Sequence, residues 1–291
     1  MWWFGRSRDK RGGRDERASR PRGLHLADAG PFDLEFVETS TGTIEVGCFG
    51  EGPIVVLLPG KGCAGTEQFG ELATALGASG FSSIAVNPRG VSRSVAPLDE
   101  LSLHHMASDV AHVLERFGQP AHVVGRALGN RVARCFAMDF PRNVKSTTLI
   151  SAGGLVPPER PVRRAKRRRR RRRKPRWEAG ARAHLHAAQT TPLDEWWPGG
   201  EAPTLVVQGL VDRTAPPENG RRLAASDPER VRVVEIYGAG HDLLKKHPRA
   251  VIPPVVAFIE EMEVRSTPNR MISHRFSGRP KKKTREEEST S

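Results

Sequence analysis

The stretch Gly125-Arg126-Ala127-Leu128-Gly129 lies between two segments of different periodicity. The apolar run Ala121–Val124 before it predicts a short buried strand. The segment from Arg131 to Phe140 after it predicts a helix, which ends before a proline. Two glycines therefore frame Ala127 at a sharp turn from strand to helix. Small residues are needed there, because they let the strand and the helix approach each other closely.

Strands and helices alternate on both sides of this turn. The other predicted strands are Leu34–Val37, Thr43–Cys48, Ile54–Leu58, Phe81–Val86, Ser146–Ile150, Thr204–Gln208 and Val231–Ile236. Three helices are predicted besides the one after Ala127. The first has an apolar face of Phe69, Leu72 and Leu76, and the second has an apolar stripe from Leu103 to Phe117, with Ser102 as its N-cap and Gly118 as its stop. The third runs from about Pro248 to Glu263. The alternation predicts an α/β fold with a doubly wound, mostly parallel sheet that begins with an antiparallel hairpin.

Four further segments resemble the α/β-hydrolase superfamily, over roughly residues 34–263. They are Ile54 to Gly62 (IVVLLPGKG), Val86 to Ser94 (VNPRGVSRS), Thr204 to Pro216 (TLVVQGLVDRTAP) and Gly238 to Leu243 (GAGHDL). In the order given, they are similar to the family's third strand with its oxyanion loop, to the segment after its fourth strand, to the loop that carries the catalytic acid and to the loop that carries the catalytic histidine. The turn at Ala127 resembles the G-x-S-x-G nucleophile elbow, and the order of turn, acid and histidine is that of the family. The resemblance implies the α/β-hydrolase fold with a short cap.

The resemblance assigns a role to each part of a catalytic site. Asp212 takes the position of the acid and His241 that of the base, and the backbone amides of Lys61 and Leu128 are expected to form the oxyanion hole. Ala127 departs from the pattern, because it stands where the family has its nucleophilic serine. A methyl group has no lone pair, so no acyl-enzyme can form there. The sequence does not distinguish a natural alanine from an engineered one.

Several interpretations of this site stay open. In the first, the Asp212–His241 pair drives hydrolase-like or other base chemistry on a small, mostly apolar molecule. In the second, the protein is a non-catalytic pseudoenzyme that binds a ligand. Cys63 in the oxyanion loop is an alternative nucleophile, although a small packing residue is the favoured interpretation. Arg126 and the pair Trp196 and Trp197 are further pocket candidates, and the tryptophans are favoured as seating the cap on the core.

The predicted cap, residues 156–203, contains the basic run Arg163 to Arg176. A solvated loop is the favoured interpretation, since unpaired charges are costly to bury. A polyanion-binding segment and a reading-frame error are the alternatives. Nucleic acid is a disfavoured partner, because the run has no interleaved aromatic residues for stacking on bases. The polyanion-binding candidates are Arg163, Arg164, Lys166, Arg167, Arg173 and Lys174.

Charge is distributed unevenly along the 291 residues. Residues 1–22, 163–176 and 264–291 carry +5, +12 and +5, which leaves −8 for the rest of a chain whose formal net charge is +14. Blocks of like charge repel themselves, so residues 1–30 and 264–291 are predicted to be disordered basic ends around a single domain at 31–263.

Other sequence features argue against several classes of protein. Three cysteines without close spacing predict a reducing compartment, taken to be the cytoplasm, rather than a disulfide framework. No signal peptide, membrane span or cofactor motif is predicted. His104, His105 and His112 are interpreted as facing solvent, and His184 and His186 have no third ligand in view, so no metal site is expected. The expected partner is a small-molecule substrate or ligand.

Overall fold

A computed structural model describes residues 30–118, 120–159 and 175–266. Its centre is an eight-stranded sheet in the order β1-β2-β4-β3-β5-β6-β7-β8. The strands are β1 Asp33–Thr39, β2 Gly42–Phe49, β3 Ile54–Leu58, β4 Ser82–Asn87, β5 Ala121–Arg126, β6 Val144–Ile150, β7 Thr204–Gly209 and β8 Val231–Ile236. The hairpin β1–β2 is antiparallel, β2 pairs antiparallel with β4, and the strands from β4 through β8 are mutually parallel. The predicted α/β fold is therefore confirmed.

Helices cover both faces of this sheet. They are α1 Gly65–Gln68, α2 Gly70–Ala78, α3 Leu103–Phe117, α4 Leu128–Asp139, α5 Pro175–Thr190, α6 Glu218–Ser226, α7 Leu243–Lys246 and α8 Pro248–Ser266. One apolar core lies between the sheet and α3 and α4, and the other lies between the sheet and α2 and α8. All five residues of β3 are buried, as expected for a strand covered on both faces.

Helix α3 begins and ends where its sequence predicts. The Ser102 hydroxyl accepts a hydrogen bond from the backbone N–H of His105, and the His105 ring accepts one from the Ser102 N–H in return. Gly118 follows in the left-handed conformation, with φ 70°. Helix α4, by contrast, begins at Leu128 rather than at Arg131, directly after the turn. The loop that follows β3 leads into the short helix α1.

Helices α5, α6 and α7 also escaped sequence prediction. Helix α6 has the sequence ENGRRLAAS, whose early asparagine and glycine are poor helix formers. Helix α7 has only four residues, too few for an apolar period. The last helix contains Pro253 and Pro254 and ends at Ser266, past the predicted domain boundary at 263.

The topology brings the candidate site together. The oxyanion loop, Ala127, Asp212 and His241 follow β3, β5, β7 and β8, respectively. In an open parallel sheet the carboxyl ends of the strands lie at one edge, where ligands are bound.

Candidate active site

The turn at Ala127 is sharp and its backbone is strained. Ala127 joins β5 to α4 with φ 51° and ψ −108°, a conformation that costs a non-glycine residue about 1–3 kcal/mol. Its neighbours explain how the turn is held. A Cβ on Gly125 would lie 2.3 Å from the carbonyl oxygen of Gly129, and a Cβ on Gly129 would lie 2.0 Å from that of Leu58. Both glycines are therefore required by close backbone packing.

Asp212 and His241 form an oriented acid–base pair. Nδ1 of His241 donates to Oδ2 of Asp212 at 2.9 Å. The second carboxylate oxygen accepts the backbone N–H groups of Thr214 at 2.9 Å and Ala215 at 2.8 Å. Asp212 is buried, so these bonds compensate the cost of desolvating its charge. Because Nδ1 carries the proton, the lone pair of the neutral His241 ring lies on Nε2.

The backbone of the histidine loop is fixed as well. The carbonyl oxygen of His241 accepts the Ser151 hydroxyl at 3.0 Å and Nη2 of Arg126 at 3.3 Å. The same Arg126 nitrogen pairs with the carboxylate of Asp242 at 2.7 Å. Ser151 follows β6 and itself has a positive φ of 55°. Strands β5 and β6 thus hold the loop that carries the base.

Arg126 also faces the oxyanion loop. A Cβ on Gly60 would lie 3.0 Å from Nη1 of Arg126 and 3.7 Å from the methyl carbon of Ala127. Its guanidinium therefore lies beside the turn, where it adds positive charge next to the candidate oxyanion donors.

The oxyanion loop is tied to its surroundings by its glycines. The N–H of Gly60 donates to Gln68 at 2.9 Å, and its carbonyl accepts the N–H of Cys63 at 3.1 Å. Among the described residues, the backbone amides of Lys61 and Leu128 form no hydrogen bond. Both amides are thus available to a developing oxyanion. The Cys63 thiol contacts the Lys61 carbonyl oxygen at 3.6 Å, within its own loop.

A buried histidine from the cap, which the sequence did not assign, clamps this loop. Nδ1 of His184 in α5 accepts the N–H of Gly62 at 3.2 Å, and Nε2 donates to the carbonyl oxygen of Arg89 at 2.9 Å. Burial lowers the pKa of His184 to about 4 against the opposing effect of its hydrogen bond to the Arg89 carbonyl, with smaller contributions from the positive charges of Arg89 and Lys61. The ring is therefore neutral, as the bond that it accepts requires.

A small apolar cavity lies under the oxyanion loop. Its volume is about 20 Å³, enough for about one water molecule. Its lining includes Asp109, whose carboxylate forms a buried ion pair with Arg89, but neither Ala127 nor His241. The remaining lining residues are Leu58, Pro59, Val86, Pro88, Met106, Val110, Gly129 and Val132. It is too small for a substrate.

The two tryptophans pack on α4. Trp196 is 2% exposed and belongs to the apolar core. The guanidinium of Arg134 lies 4.7 Å from the ring centroids of both Trp196 and Trp197, and burial lowers the pKa of Arg134 to about 9. These contacts join the segment after α5 to the core.

The interpretation of one histidine changes. His104 does not simply face solvent, since both of its ring nitrogens pair with carboxylates, those of Asp139 and Glu195. His184 is wholly buried. His105 remains exposed and caps α3.

Some predictions fall outside the described residues. These are the basic ends at 1–29 and 267–291 and the polyanion-binding candidates Arg163, Arg164, Lys166, Arg167, Arg173 and Lys174. The described helices include none long and apolar enough to cross a membrane.

Comparisons with known proteins agree with this geometry. Residues 53–185 match the family model described as alpha/beta hydrolase fold. A hydrolase from Pseudomonas aeruginosa PA01 superposes with a TM-score of 0.65 at 21% identity, over 78% of this chain and 98% of that one. A serine-to-alanine mutant of the meta-cleavage product hydrolase from Pseudomonas fluorescens IP01, complexed with acetates, gives 0.63 at 18% identity, over 79% and 98%. The chain therefore has the α/β-hydrolase fold.

A curated relative is similar along most of the chain. It is the polyketide synthase ThaQ of Burkholderia thailandensis, 27% identical over 279 residues. The match covers 81% of this chain, but the chain spans only 13% of the length of that protein.

Proposed function

We propose that this protein is an enzyme with hydrolase-like chemistry on a small, mostly apolar molecule, in which His241 acts as general base without a serine nucleophile. The observation that carries the proposal is the Asp212–His241 pair. Its carboxylate is buried and bound by two backbone amides, and the carbonyl of its histidine is held by Ser151 and Arg126. A base that is held in this way is oriented before substrate arrives.

The proposed reaction begins with water. Nε2 of His241 takes a proton from a water molecule, whose oxygen attacks the substrate carbonyl carbon. Negative charge then develops on the carbonyl oxygen, where the amides of Lys61 and Leu128 donate hydrogen bonds. The tetrahedral intermediate collapses, and the leaving group receives the proton from His241. The same base would also serve for removal of an acidic substrate proton.

The expected rate is modest. Triads without a nucleophile keep about 10³–10⁴-fold catalysis over water through the oxyanion hole and binding, and general-base catalysis contributes about 10²–10⁴-fold. Short-chain esters and β-keto esters are the substrates on which this chemistry is tested. The reducing cytoplasm is the proposed compartment, consistent with three free cysteines among the described residues.

The test is turnover of an ester and β-keto ester panel by the unchanged protein and by His241→Ala, Asp212→Asn and His247→Ala. We expect the first two variants to lose about 10²–10⁴-fold in rate. His247 lies in the same segment but outside the site, so His247→Ala should leave the rate unchanged. Cys63→Ser tests the alternative nucleophile.

Two results would reject the proposal. Turnover that survives His241→Ala would exclude the histidine as base. Ligands that stabilise the protein against heat but are never converted would favour the second candidate, a non-catalytic binding protein, which the methyl side chain of Ala127 itself supports.

A further inference from the structure

A cluster of potential metal ligands lies at the end of α4 that is remote from Ala127. It consists of His104 at the start of α3 and of Cys135 and Asp139, which are one turn apart on α4. Glu195, from the short 3-10 helix Leu193–Glu195, joins it from the cap side. Twelve residues of α4 separate Ala127 from this point, roughly 18 Å at 1.5 Å per residue. The cluster is therefore separate from the candidate active site.

The ligand atoms form a triangle of the size that a tetrahedral ion needs. Nδ1 of His104 lies 2.7 Å from Oδ2 of Asp139 and 3.4 Å from Sγ of Cys135, and the sulfur lies 3.5 Å from the same carboxylate oxygen. Zinc bonds of about 2.0–2.3 Å at tetrahedral angles separate ligand atoms by about 3.3–3.6 Å. Only the distance between Nδ1 of His104 and Oδ2 of Asp139 must increase when the ion binds, and the side chains of both residues are partly exposed.

Glu195 accepts a hydrogen bond from the histidine of this cluster without being a metal ligand itself. The Nε2–H of His104 donates to its carboxylate at 2.8 Å. Metal-ligating histidines nearly always donate their second ring N–H to a carboxylate, a carbonyl or water, and this fixes the ring and makes the ligating nitrogen more basic. The bond holds the ring so that Nδ1 of His104 faces Cys135 and Asp139.

We infer that His104, Cys135 and Asp139 bind a divalent transition-metal ion of the zinc type, with water as the fourth ligand and Glu195 orienting the histidine. One soft sulfur, one imidazole and one carboxylate suit Zn²⁺ or Co²⁺ better than Mg²⁺ or Ca²⁺, which prefer oxygen. The bound ion would link α3, α4 and the 3-10 helix that precedes Trp196.

Binding requires two protons to leave. In the free site both ring N–H groups of His104 donate to carboxylates, and the Cys135 thiol donates to Oδ2 of Asp139 at 3.5 Å. The metal–sulfur and metal–nitrogen bonds form as the S–H proton and the Nδ1 proton pass to water. Thiolate, carboxylate and neutral imidazole then balance the two positive charges of the ion.

The experiment is a titration of the full-length, metal-depleted protein, without a histidine tag, with Co²⁺. We expect a thiolate-to-cobalt charge-transfer band that saturates at one equivalent and is displaced by Zn²⁺. Cys135→Ser should lose the band, while Cys48→Ser and Cys63→Ser should keep it. Glu195→Gln should keep the band with about 10–100-fold weaker binding.

The same titration can also contradict the proposed metal site. Absence of the band in the unchanged protein, or an identical band in Cys135→Ser, would overturn the proposal. Circular dichroism checks that the variants are folded. Should Cys135→Ser not fold, Asp139→Asn and His104→Gln replace it, and unaltered Co²⁺ affinity in both would overturn the proposal as well.

Discussion

The turn at Ala127 and the loops of Asp212 and His241 differ in what they offer chemically. At the turn, the backbone is strained, but the side chain has no reactive atom. At the loops, the side chains themselves form a hydrogen-bonded pair, at 2.9 Å. Backbone packing of Gly125 and Gly129 therefore shapes the turn, independently of the residue at its centre. A serine placed there would enter a geometry that already exists.

The largest loss of stability is expected from Gly129→Ala, which disrupts that packing. The new methyl group would lie 2.0 Å from the Leu58 carbonyl oxygen, so we expect unfolding free energy to fall by about 3 kcal/mol. Gly153→Ala is the matched control, because its Cβ would meet only the side chain of Ala215, at 3.5 Å. Denaturant unfolding of both variants measures the difference. Equal losses would mean that the turn does not depend on this contact.

The His184 clamp gives a pH-dependent effect of intermediate size. The folded pKa of about 4 lies below the ordinary 6.5, so the unfolded chain binds more protons between these values. Stability contributed by the neutral ring is therefore lost as pH falls from about 6.5 toward 4, by on the order of 3 kcal/mol at most. The free energy of unfolding, measured across this pH range, should fall less steeply in His184→Gln than in the unchanged protein. His186→Gln, exposed on the same helix, should behave like the unchanged protein, and a difference there would assign the effect elsewhere.

The smallest effect on stability is expected from Arg126→Met. Its partner Asp242 is half exposed, so unfolding free energy should change by less than about 1 kcal/mol. Esterase turnover in an Ala127→Ser background should nevertheless fall about tenfold, because the carbonyl of His241 loses a contact that positions the base. Arg221→Met, which removes a surface pair with Glu235, serves as control. Unchanged turnover in Arg126→Met would show that Ser151 alone positions the loop.

Much of the fold was predictable, because it rests on local patterns. The apolar run of β3 and the capped stripe of α3 specify their elements from their own residues. The pairing of Asp212 with His241 followed from family resemblance and chain order, since no local signal joins residues 29 apart. Helix α6 was missed because its polar sequence gains its stability from packing on β7 and β8 rather than from propensity.

The contacts that the sequence did not predict join distant segments. His184 meets Gly62 across 122 residues, and His104 meets Glu195 across 91. The spacing of residues along the chain does not predict contacts between segments that are so far apart in sequence. Ser151 had a weak signal, as a small polar residue at the carboxyl end of a parallel strand beside the turn.

In the proposed site, an intact base and intact oxyanion donors surround an inert nucleophile position. The most direct test compares p-nitrophenyl acetate turnover by the unchanged protein, by Ala127→Ser, and by Ala127→Ser with His241→Ala. We expect Ala127→Ser to gain about 10²-fold or more, and the added His241→Ala change to remove the gain, because serine and histidine act as a unit. A folded Ala127→Ser variant without any gain, or a gain that persists without His241, would contradict the account.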